Sequence, residues 1–429
     1  MKVFKFGGAS VKDAPAIENL KNILQRYENE QLMVVISAMG KTTNFMERLL
    51  DAYYHAPENV TGLLAELRAN HETVAEQLMG ENNPFLPHSD RLFTLLNEQL
   101  QRPTSDNFDY DYDRIVSFGE LLSTTLISVY LNTQHLEVQW LDARQLIRTD
   151  NTYREGHVDW TVTQKLVCST IKPYFQERTH GIVLTQGFIA GTAENQTTTL
   201  GREGSDYSAA IIANTLDAEC VTVWKDVPGI LNADPKRFPN AVKIDTLTYH
   251  ETVELAYYGA SVIHPKTLKP LHNKQIPLFV KSFFHPEMEG SKITQEADSV
   301  EVPSYIVKDN QLLISVSPRD FSIIGVENLS MILDILSEYR IKINLIQNSA
   351  LTFSVCTDNV PLRLQPCLVA LQKEFIVKFN DGIRLVTIRH YDDQSEDQVL
   401  KMFENEEVII RQNNRHTIQL VLKQLVVSS

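Results

Sequence analysis

One segment of the chain places glycines on either side of a basic and an acidic residue, just before an apolar run. Thr199–Asp206 reads Thr-Leu-Gly-Arg-Glu-Gly-Ser-Asp. Apolar residues then recur at helical spacing: Ala209, Ile212, Ala213 and Leu216. Because Ser and Asp satisfy free N–H groups at helix starts, a helix is predicted to begin at Ser205 and Asp206. The pattern fits an anion-binding turn at a helix N-terminus, and it also fits an ordinary glycine turn.

A second set of chemically capable residues follows the first predicted strand, Val3–Phe6. Lys5 lies at the end of this strand, beside Gly7 and Gly8, whose N–H groups can approach a phosphate closely. A lysine inside a strand pays a desolvation cost unless an anion pairs with it, which favours a functional role. Asp226 follows another strand. Cations, N–H donors and carboxylates are what phosphoryl transfer requires, although spacing alone leaves their convergence open.

Two nucleotide-binding motifs are excluded by their spacing. Gly40–Thr42 resembles the end of a P-loop, but the glycine that this motif needs earlier is replaced by Val35. No G-x-G-x-x-G follows any predicted strand, so the dinucleotide fingerprint is absent. A nucleotide bound by this chain would therefore need a different phosphate-binding motif.

Composition describes an ordinary soluble globular chain. The 429 residues are 43% hydrophobic and 22% charged, enough for about three domains with ample core. A formal net charge of -14 argues against general nucleic-acid binding but permits a small anion in a locally basic pocket. No run approaches the roughly 20 apolar residues needed to cross a bilayer. We therefore expect neither a nucleic-acid nor a membrane partner.

The cysteines and the N-terminus indicate a reducing compartment. The cysteines are scattered and show no C-x-x-C spacing: Cys168, Cys220, Cys356 and Cys367. This is typical of reduced thiols and not of a disulfide scaffold or a zinc site. The chain reaches Gly7 too early for the apolar region of a signal peptide. A cytoplasmic location is expected.

Strands and helices alternate up to about residue 295, which predicts a mostly parallel α/β sandwich. The predicted strands are Val3–Phe6, Leu32–Ile36, Val138–Leu141, Gly181–Thr185, Cys220–Trp224 and Ile276–Val280. The continuous apolar run Leu32–Ile36 is typical of a strand buried on both faces. Residues 45–101 are largely helical in pattern and are interpreted as an insertion or lid. Small and hydroxyl residues follow the first two strands, where ligands bind in open α/β sheets.

The polar segment Gly290–Pro303 predicts a linker, after which the order of elements changes. A strand-helix-strand-strand unit occurs twice in the remaining third, which indicates two small α+β modules. Such modules commonly bind small effectors or pair with another subunit; a purely structural role is the alternative. The predicted domains are residues 1–295 and residues 304–429.

Several motifs occur in the order in which aspartate kinases carry them. Lys5–Val11, with the sequence KFGGASV, resembles the N-terminal motif of that family, usually KFGGTSV. The other matching segments are, in order, Ser117–Ser123, Gly187–Ala190, Thr199–Ala210, Asp226–Ile230, Gly259–Pro265 and, in the C-terminal modules, Asn344–Ala350. The resemblance covers essentially the whole chain. It implies an amino-acid-kinase fold, a three-layer αβα sandwich with a mostly parallel sheet, followed by tandem ACT domains.

The resemblance also implies a reaction. A monofunctional aspartate kinase would transfer the γ-phosphoryl group of ATP to the side-chain carboxylate of L-aspartate. The product, 4-phospho-L-aspartate, leads to lysine, threonine and methionine. Lys5 would neutralise charge on the transferred group, Asp206 would organise the site without acting as a nucleophile, and Mg²⁺ would bridge ATP oxygens. The ACT domains imply feedback by lysine or threonine and a homodimer or larger assembly.

Site residues follow from the same resemblance, with aspartate bound in the N-terminal part of the kinase domain and the nucleotide in its C-terminal part. Thr43 and Glu120 would contact aspartate, Glu120 through the α-ammonium group. Arg202 and Ser205 would hold its carboxylates, a task for which the arginine fork is suited. The nucleotide-binding positions would be Lys5, Phe6, Gly7, Gly8, Lys225, Asp226, Leu231, Lys236 and Ser261.

The chain departs from the family at several positions. Ala9 replaces the usual threonine, with a mild expected effect because backbone binds the phosphate. Glu203 replaces Gly or Asn and adds an anion near two anionic substrates, so we expect its side chain to point to solvent. Four nucleotide positions differ from the family's usual Thr or Ser, Tyr, Arg and Lys: Lys225, Leu231, Lys236 and Ser261. Lys225 is the candidate to replace the missing lysine. Ser317–Phe321 lacks the glycine often found in the effector loop.

Two other functions stay open on the sequence. One is another kinase of the same fold, acting on glutamate, a carbamate or a nucleotide; the paired C-terminal modules and Ser117–Glu120 count against it. The other is a catalytically idle amino-acid sensor that works through the ACT modules alone. The altered nucleotide positions motivate this second alternative. It is opposed by four intact residues: Lys5, Glu120, Arg202 and Asp206.

Overall fold

The computed structural model describes residues 1–260, 263–296 and 302–424. The chain divides into two compact units. The first consists of Met1–Ile230, Lys243–Val253 and Ser261–Ser299, and the second of Leu231–Val242, Glu254–Ala260 and Val300–Ser429. The second unit thus takes in two short segments from the part of the sequence that was expected to form the first domain.

The first unit contains an eight-stranded sheet with the order β10-β12-β11-β7-β1-β2-β4-β3. Its strand pairs are parallel except for β11 with β12. The strands up to the end of this unit are β1 (Lys2–Phe6), β2 (Gln31–Ile36), β3 (Val138–Leu141), β4 (Gly181–Gln186), β5 (Ile189–Gly191), β6 (Thr197–Thr199), β7 (Cys220–Lys225), β8 (Ile230–Leu231), β9 (Lys243–Ile244), β10 (Thr246–Thr248), β11 (Leu278–Ser282) and β12 (Ser291–Thr294). β5 and β6 form a separate antiparallel hairpin. Leu32–Ile36 is fully buried, as its continuous apolar pattern predicted.

Helices connect these strands along the chain. They are α1 (Ala14–Gln25), α2 (Thr42–His55), α3 (Val60–Met79), α4 (Leu86–Leu100), α5 (Phe108–Val116), α6 (Phe118–Thr133), α7 (Ala143–Leu146), α8 (Trp160–Gln176), α9 (Gly204–Leu216), α10 (Tyr249–Tyr258) and α11 (Pro265–Lys274). Apolar residues of α2, α3 and α4 pack with α5 and α6 in one hydrophobic cluster. The helices of the predicted insertion are therefore part of a packed core layer, because their apolar faces meet two further helices.

One stretch of the described residues is long and apolar enough to cross a membrane by length and composition alone. This stretch, Phe108–Thr133, comprises α5 and α6, and 83% of its most apolar window is buried inside the structure. The sequence did not lead us to expect such a run. Its apolarity is explained by the core position of the two helices, since buried helices of soluble proteins pass the same test.

The second unit is built on a six-stranded antiparallel sheet with the order β14-β15-β13-β16-β18-β17. Its elements are β13 (Ser304–Pro318), α12 (Val326–Glu338), β14 (Ile343–Asn348), β15 (Phe353–Asp358), α13 (Pro361–Glu374), β16 (Phe375–Arg389), α14 (Asp393–Met402), β17 (Glu406–Asn413) and β18 (Thr417–Gln424). The predicted repeat of strand, helix and two strands is present twice. The sequence predicts these two strands only over Leu312–Val316 and Arg384–Ile388. In the structure β13 and β16 extend well beyond these ranges and pair along nearly their whole length, so each long strand belongs to both repeats.

Candidate functional site

The carboxyl ends of β1, β2 and β4 meet at one edge of the parallel sheet. The N–H of Ser37, just after β2, donates to the carbonyl of Phe6 at 3.1 Å. The N–H of Gly187, just after β4, donates to the carbonyl of Ile36 at 2.9 Å. The segments that leave these strands therefore start side by side, at the edge where open α/β sheets bind ligands.

Gly8 brings the loop after β1 into backbone contact with the loop after β2. The N–H of Gly40 donates to the carbonyl of Gly8 at 3.0 Å. A Cβ on Gly8 would lie 2.7 Å from the carbonyl oxygen of Gly40 and 2.8 Å from that of Ala38. No side chain fits in this space, so glycine is required at this position.

Lys5 and Asp206 form a nearly buried ion pair at the same edge. Lys5 Nζ lies 2.6 Å from Asp206 Oδ1, and the two side chains are only 11% and 4% exposed. The sequence predicted that a lysine in β1 needs an anion, and Asp206 supplies one. Asp206 lies in the first turn of α9, where the helix dipole favours a carboxylate.

The start of α9 differs from the prediction in its capping. Glu203 is the N-cap, with φ 53° and ψ 29°, and it makes no side-chain cap hydrogen bond. Ser205 and Asp206 are already inside the first turn, so neither caps the helix. A Cβ on Gly187 would lie 2.5 Å from Ser205 Cβ. The absence of a side chain at Gly187 thus lets the helix start approach the end of β4.

Glu203 does not point to solvent, contrary to the expectation from sequence. Its Oε2 accepts a hydrogen bond from the N–H of His264 at 2.9 Å, and the contact is partly buried. His264 is the N-cap of α11, where backbone N–H groups lack a partner within the helix. The carboxylate therefore joins the start of α9 to the start of α11. The left-handed backbone at this position also explains why Gly or Asn would suit it.

Glu120 is a buried carboxylate with unused hydrogen-bonding capacity. It lies near the start of α6 and is 2% exposed. Oε1 accepts a hydrogen bond from the N–H of Ala38 at 3.3 Å, whereas Oε2 is buried and has no hydrogen-bond partner among the described residues. Burial raises the pKa of Glu120 to about 8. Such a group is suited to receive a cation from a ligand.

α6 is packed tightly against the start of α2, which carries Thr43. A Cβ on Gly119 would lie 3.3 Å from both Ala38 Cβ and Thr42 Cγ2. Thr42 Oγ1 donates to the carbonyl of Met39 at 2.6 Å, and the neighbouring Thr43 is partly exposed in the first turn of α2. The structure thus brings the two predicted substrate elements together.

Arg202 is exposed in the turn between β6 and α9, and the described residues offer its side chain no hydrogen bond or ion pair. The preceding Gly201 has φ +76°, and a Cβ there would lie 3.2 Å from the carbonyl oxygen of Arg154. This backbone turn presents Arg202 outward at the N-terminal end of α9. Its guanidinium is available to a ligand carboxylate.

The predicted nucleotide residues of the first unit lie in different environments. Phe6 is in the core, with its ring stacked on Trp224 at 6.0 Å between centroids, so only its backbone faces the loop. Lys225, which follows Trp224 at the end of β7, is half-buried, and Asp226 is exposed. Phe6 pairs with Trp224 across the sheet. Lys225 and Asp226 therefore emerge at the same edge as Gly7.

The remaining nucleotide positions are not brought to this edge by the first unit. Leu231 and Lys236 belong to the second unit, where Leu231 is half-buried and Lys236 is exposed. Ser261 lies outside the described residues. Their predicted role in nucleotide binding stays a prediction.

Known proteins resemble most of this chain. The model of the amino acid kinase family matches residues 1–282. Lysine-sensitive aspartokinase 3 of Escherichia coli is 31% identical over 397 residues, which cover 90% of this chain and 86% of that protein. The chain belongs to the aspartokinase family.

Solved structures of this family agree with the fold. The crystal structure of E. coli aspartokinase III in complex with aspartate and ADP has a TM-score of 0.82 and 28% identity, covering 99% of this chain and 96% of that chain. Aspartokinase 2 of Arabidopsis thaliana, a chloroplastic protein, is 31% identical over 373 residues, 84% of this chain and 66% of that protein. A bifunctional aspartokinase/homoserine dehydrogenase of Zea mays is 31% identical over 328 residues, which are 73% of this chain but only 35% of that protein. The predicted αβα kinase fold with ACT-like modules is confirmed.

Asp113 is a buried carboxylate of this chain that the sequence analysis missed. It is fully buried in α5 and accepts hydrogen bonds from the N–H of Arg154 and from both the N–H and the hydroxyl of Thr199. Thr199 ends β6, three residues before Arg202. No local sequence pattern marks Asp113, because its partners Arg154 and Thr199 lie 41 and 86 positions away along the chain.

Proposed function

We propose that this chain phosphorylates the side-chain carboxylate of L-aspartate with ATP, giving 4-phospho-L-aspartate for lysine, threonine and methionine synthesis. The observation that carries the proposal is Glu120, whose buried Oε2 has no partner among the described residues. An α-ammonium group of the substrate would supply the missing donors and neutralise the charge. Family membership and the Lys5–Asp206 pair at the same sheet edge support this assignment.

The carboxylates of aspartate would be held at two helix starts. Arg202 and Ser205 lie at the N-terminal end of α9, and Thr43 lies in the first turn of α2. Free N–H groups and the helix dipole favour anions at both places. Arg202 is exposed and unengaged, so its fork can bind a carboxylate in bidentate fashion.

Phosphoryl transfer would take place beside Lys5. The ammonium of Lys5 and the N–H groups of Gly7 and Gly8 would stabilise charge on the transferred group. Asp206 would hold Lys5 in position, since its carboxylate is only 2.6 Å from Nζ. It would orient the site without forming a bond to phosphorus.

A divalent cation, Mg²⁺ by its hard oxygen preference, would accompany ATP. No cluster of three or more His, Cys, Asp or Glu side chains suited to a metal occurs in the described parts of the chain. The ion would therefore be held mainly by phosphate oxygens, and Asp226 is the exposed carboxylate at the sheet edge that could contribute. When bound, the ion would neutralise phosphate charge.

We assign residues 1–295 to the kinase domain and residues 304–429 to a pair of ACT domains. In this assignment Lys225, Leu231, Lys236 and Ser261 take the nucleotide positions of the family. Lysine or threonine would act as effector through the ACT pair, as the lysine complex of E. coli aspartokinase III suggests by analogy. The protein would be cytoplasmic and a homodimer or larger.

The test of this function is ADP production from Mg-ATP with L-aspartate, compared with L-glutamate. We expect turnover with aspartate and much weaker turnover with glutamate. A well-folded protein without aspartate-dependent turnover would contradict the proposal. Binding of lysine or threonine without turnover would favour an amino-acid sensor. Preference for glutamate would indicate another kinase of the same fold.

Lys5→Ala provides the matching variant. It should abolish turnover, because no other cation of β1 reaches the sheet edge, while the circular-dichroism spectrum stays that of the wild type. Lys2→Ala is the control, since Lys2 lies at the opposite end of the same strand. Substantial remaining activity in Lys5→Ala would refute the role given to Lys5.

A further inference from the structure

Asp113 holds the beginning of the turn that carries Arg202 and Ser205. Its Oδ1 accepts a hydrogen bond from Thr199 Oγ1 at 2.7 Å, and its Oδ2 accepts one from the N–H of Thr199 at 2.9 Å. Oδ2 also accepts a hydrogen bond from the N–H of Arg154 at 2.8 Å. One carboxylate therefore fixes two backbone segments.

The helix that carries Asp113 is itself firmly anchored. Arg114 Nη2 and Asp111 Oδ1 form a buried ion pair at 2.6 Å. Tyr54 donates its hydroxyl proton to Asp111 Oδ2 at 2.7 Å, and Tyr112 donates to Glu47 Oε1 at 2.9 Å. These contacts join α5 to α2, so Asp113 is a fixed point on the helical layer.

The same helix leads directly to Glu120. The N–H of Ser117 donates to the carbonyl of Asp113, and the N–H of Leu121 donates to the carbonyl of Ser117, so α5 and α6 are almost continuous. Asp113 and Glu120 are separated by two helical turns, a spacing that places both on one side of the helix. Asp113 thus links the element that carries Glu120 with the turn that carries Arg202.

Burial raises the pKa of Asp113 to about 6. The group is therefore ionised at neutral pH, where a carboxylate with only acceptor capacity matches three donors. An asparagine in its place could keep one oxygen for the two backbone N–H donors, but its NH₂ group would require the Thr199 hydroxyl to accept instead of donate. The substitution also removes the negative charge that strengthens all three hydrogen bonds.

We propose that Asp113 is a positioning residue that fixes the separation between Glu120 and the Arg202–Ser205 turn, and so sets which amino-dicarboxylic acid fits. This inference rests on the proposed function. Glu120 would bind the ammonium end of the substrate and the turn its carboxylates. Loss of the link lets the turn shift relative to α6, which weakens aspartate binding and relaxes the rejection of the longer glutamate.

The test compares Asp113→Asn with Asp109→Asn. Asp109 lies one turn earlier on α5, is 52% exposed, and contacts the same Arg154 through the guanidinium at 3.3 Å without contacting Thr199. By calorimetry, Asp113→Asn should raise the Kd for aspartate about tenfold or more, and Asp109→Asn should leave it unchanged. In rate assays, Asp113→Asn should lower the preference for aspartate over glutamate, with the KM for ATP within about twofold of wild type.

Thr199 supplies an independent pair of variants in case Asp113→Asn does not fold. Thr199→Val removes the hydroxyl donor and should weaken aspartate binding, whereas Thr199→Ser keeps the donor and should restore it. Hydrogen exchange at the amides of Thr199 and Arg154 should accelerate in Thr199→Val and not in Asp109→Asn.

Several results would overturn the inference. One is an unchanged Kd for aspartate in both Asp113→Asn and Thr199→Val. Another is a rise in the KM for ATP equal to that for aspartate, which indicates general loss of structure. A wild-type protein that binds aspartate without turnover contradicts the proposed function alone, because the calorimetric comparison still applies. A wild-type protein that binds no aspartate contradicts both.

Discussion

At the scale of single residues, Glu120 combines burial with an unsatisfied oxygen. Such a group lowers the stability of the folded protein, because the free energy lost on removing the oxygen from water is not offset by a hydrogen bond in the protein. Oε1 accepts a hydrogen bond from the N–H of Ala38, whereas Oε2 has no hydrogen-bond partner among the described residues. Buried polar atoms of this kind concentrate at sites where a ligand completes the hydrogen bonding.

Aspartate binding should therefore be coupled to proton release from Glu120. Burial raises its pKa to about 8 in the free protein, and an ammonium ligand favours the ionised form. Below about pH 8 the free carboxyl is protonated and must lose its proton for aspartate to bind, so affinity should fall with falling pH. Calorimetry in buffers of different ionisation enthalpy would measure the released proton near neutral pH. Glu120→Gln should bind weakly, with no pH dependence in this range; the same proton release in that variant would contradict the assignment.

Glu203 is the residue at which the sequence led to the wrong expectation. Its backbone is left-handed, a conformation that costs about 1 kcal/mol for a residue with a side chain, and its carboxylate bonds to the N–H of His264. Glu203→Ala should lower the free energy of unfolding by about 1 kcal/mol, since the strain stays and the acceptor is lost. Glu203→Gln should be close to wild type, and Glu203→Gly should recover stability through relief of the strain. Chemical denaturation measures all three, and an unchanged Glu203→Ala would show that the hydrogen bond contributes nothing.

What could be inferred about residues followed from local chemistry. A lysine within β1 needs an anion, which indicated a role for Lys5. The glycines beside it indicated a loop whose backbone can come close to another group. The partner of Glu203 was not inferable, because His264 is sixty-one positions away and nothing in its neighbourhood marks it as a donor. Asp113 was missed for the same reason, since its partners Thr199 and Arg154 come from distant segments.

At the scale of elements, α3 carries a buried titratable group. His71 is fully buried, with Nδ1 at 2.9 Å from the carbonyl oxygen of Leu67 and no hydrogen-bond partner at Nε2 among the described residues. Burial lowers the pKa of His71. The helix therefore folds around a neutral imidazole.

Acidic pH should lower the free energy of unfolding because of His71 in this helix. The unfolded chain takes up a proton at its ordinary histidine pKa of about 6.5, whereas the folded state resists it, so the free energy of unfolding falls as pH drops below that value. Urea denaturation at about pH 7.5 and about pH 5.5 should show a larger loss in the wild type than in His71→Leu. An equal loss in both proteins would place the acid sensitivity elsewhere.

The length of an element was predicted well where its own apolar pattern determines it. It was predicted poorly where pairing with another strand determines how far the element extends. β2 was found almost to the residue because its apolar run is continuous. β13 and β16 were predicted as short strands, since polar residues around Asp309 and Asn380 interrupt the alternation. In the structure the two strands pair with each other on both sides of these polar parts, with register shifts near Gln311. Tertiary pairing overrides local pattern here.

At the scale of the whole molecule, the second unit exposes apolar side chains on its helical side. Val326 at the start of α12 is 77% exposed, and Leu362 at the start of α13 is 92% exposed. Exposed apolar groups of this kind are typical of protein interfaces. They support the proposed pairing of ACT domains between subunits.

We therefore expect light scattering to give the mass of a homodimer or larger. Val326→Glu combined with Leu362→Glu should shift the protein towards monomer, because each places a charge on the apolar surface. Leu400→Glu on α14 is the control, since that side chain is only 36% exposed and belongs to another helix. Unchanged mass in the double variant would locate the interface elsewhere.

The two long strands β13 and β16 have a consequence for how the second unit melts and how it carries a signal. Each strand runs through both repeats as one continuous backbone, so neither repeat can unravel without breaking hydrogen bonds of the other. The pair should behave as one cooperative folding unit with a single transition. A small molecule that bound one repeat and reduced its conformational freedom would therefore also reduce the conformational freedom of the other repeat, because both contain β13 and β16. The contacts within that other repeat would not have to change.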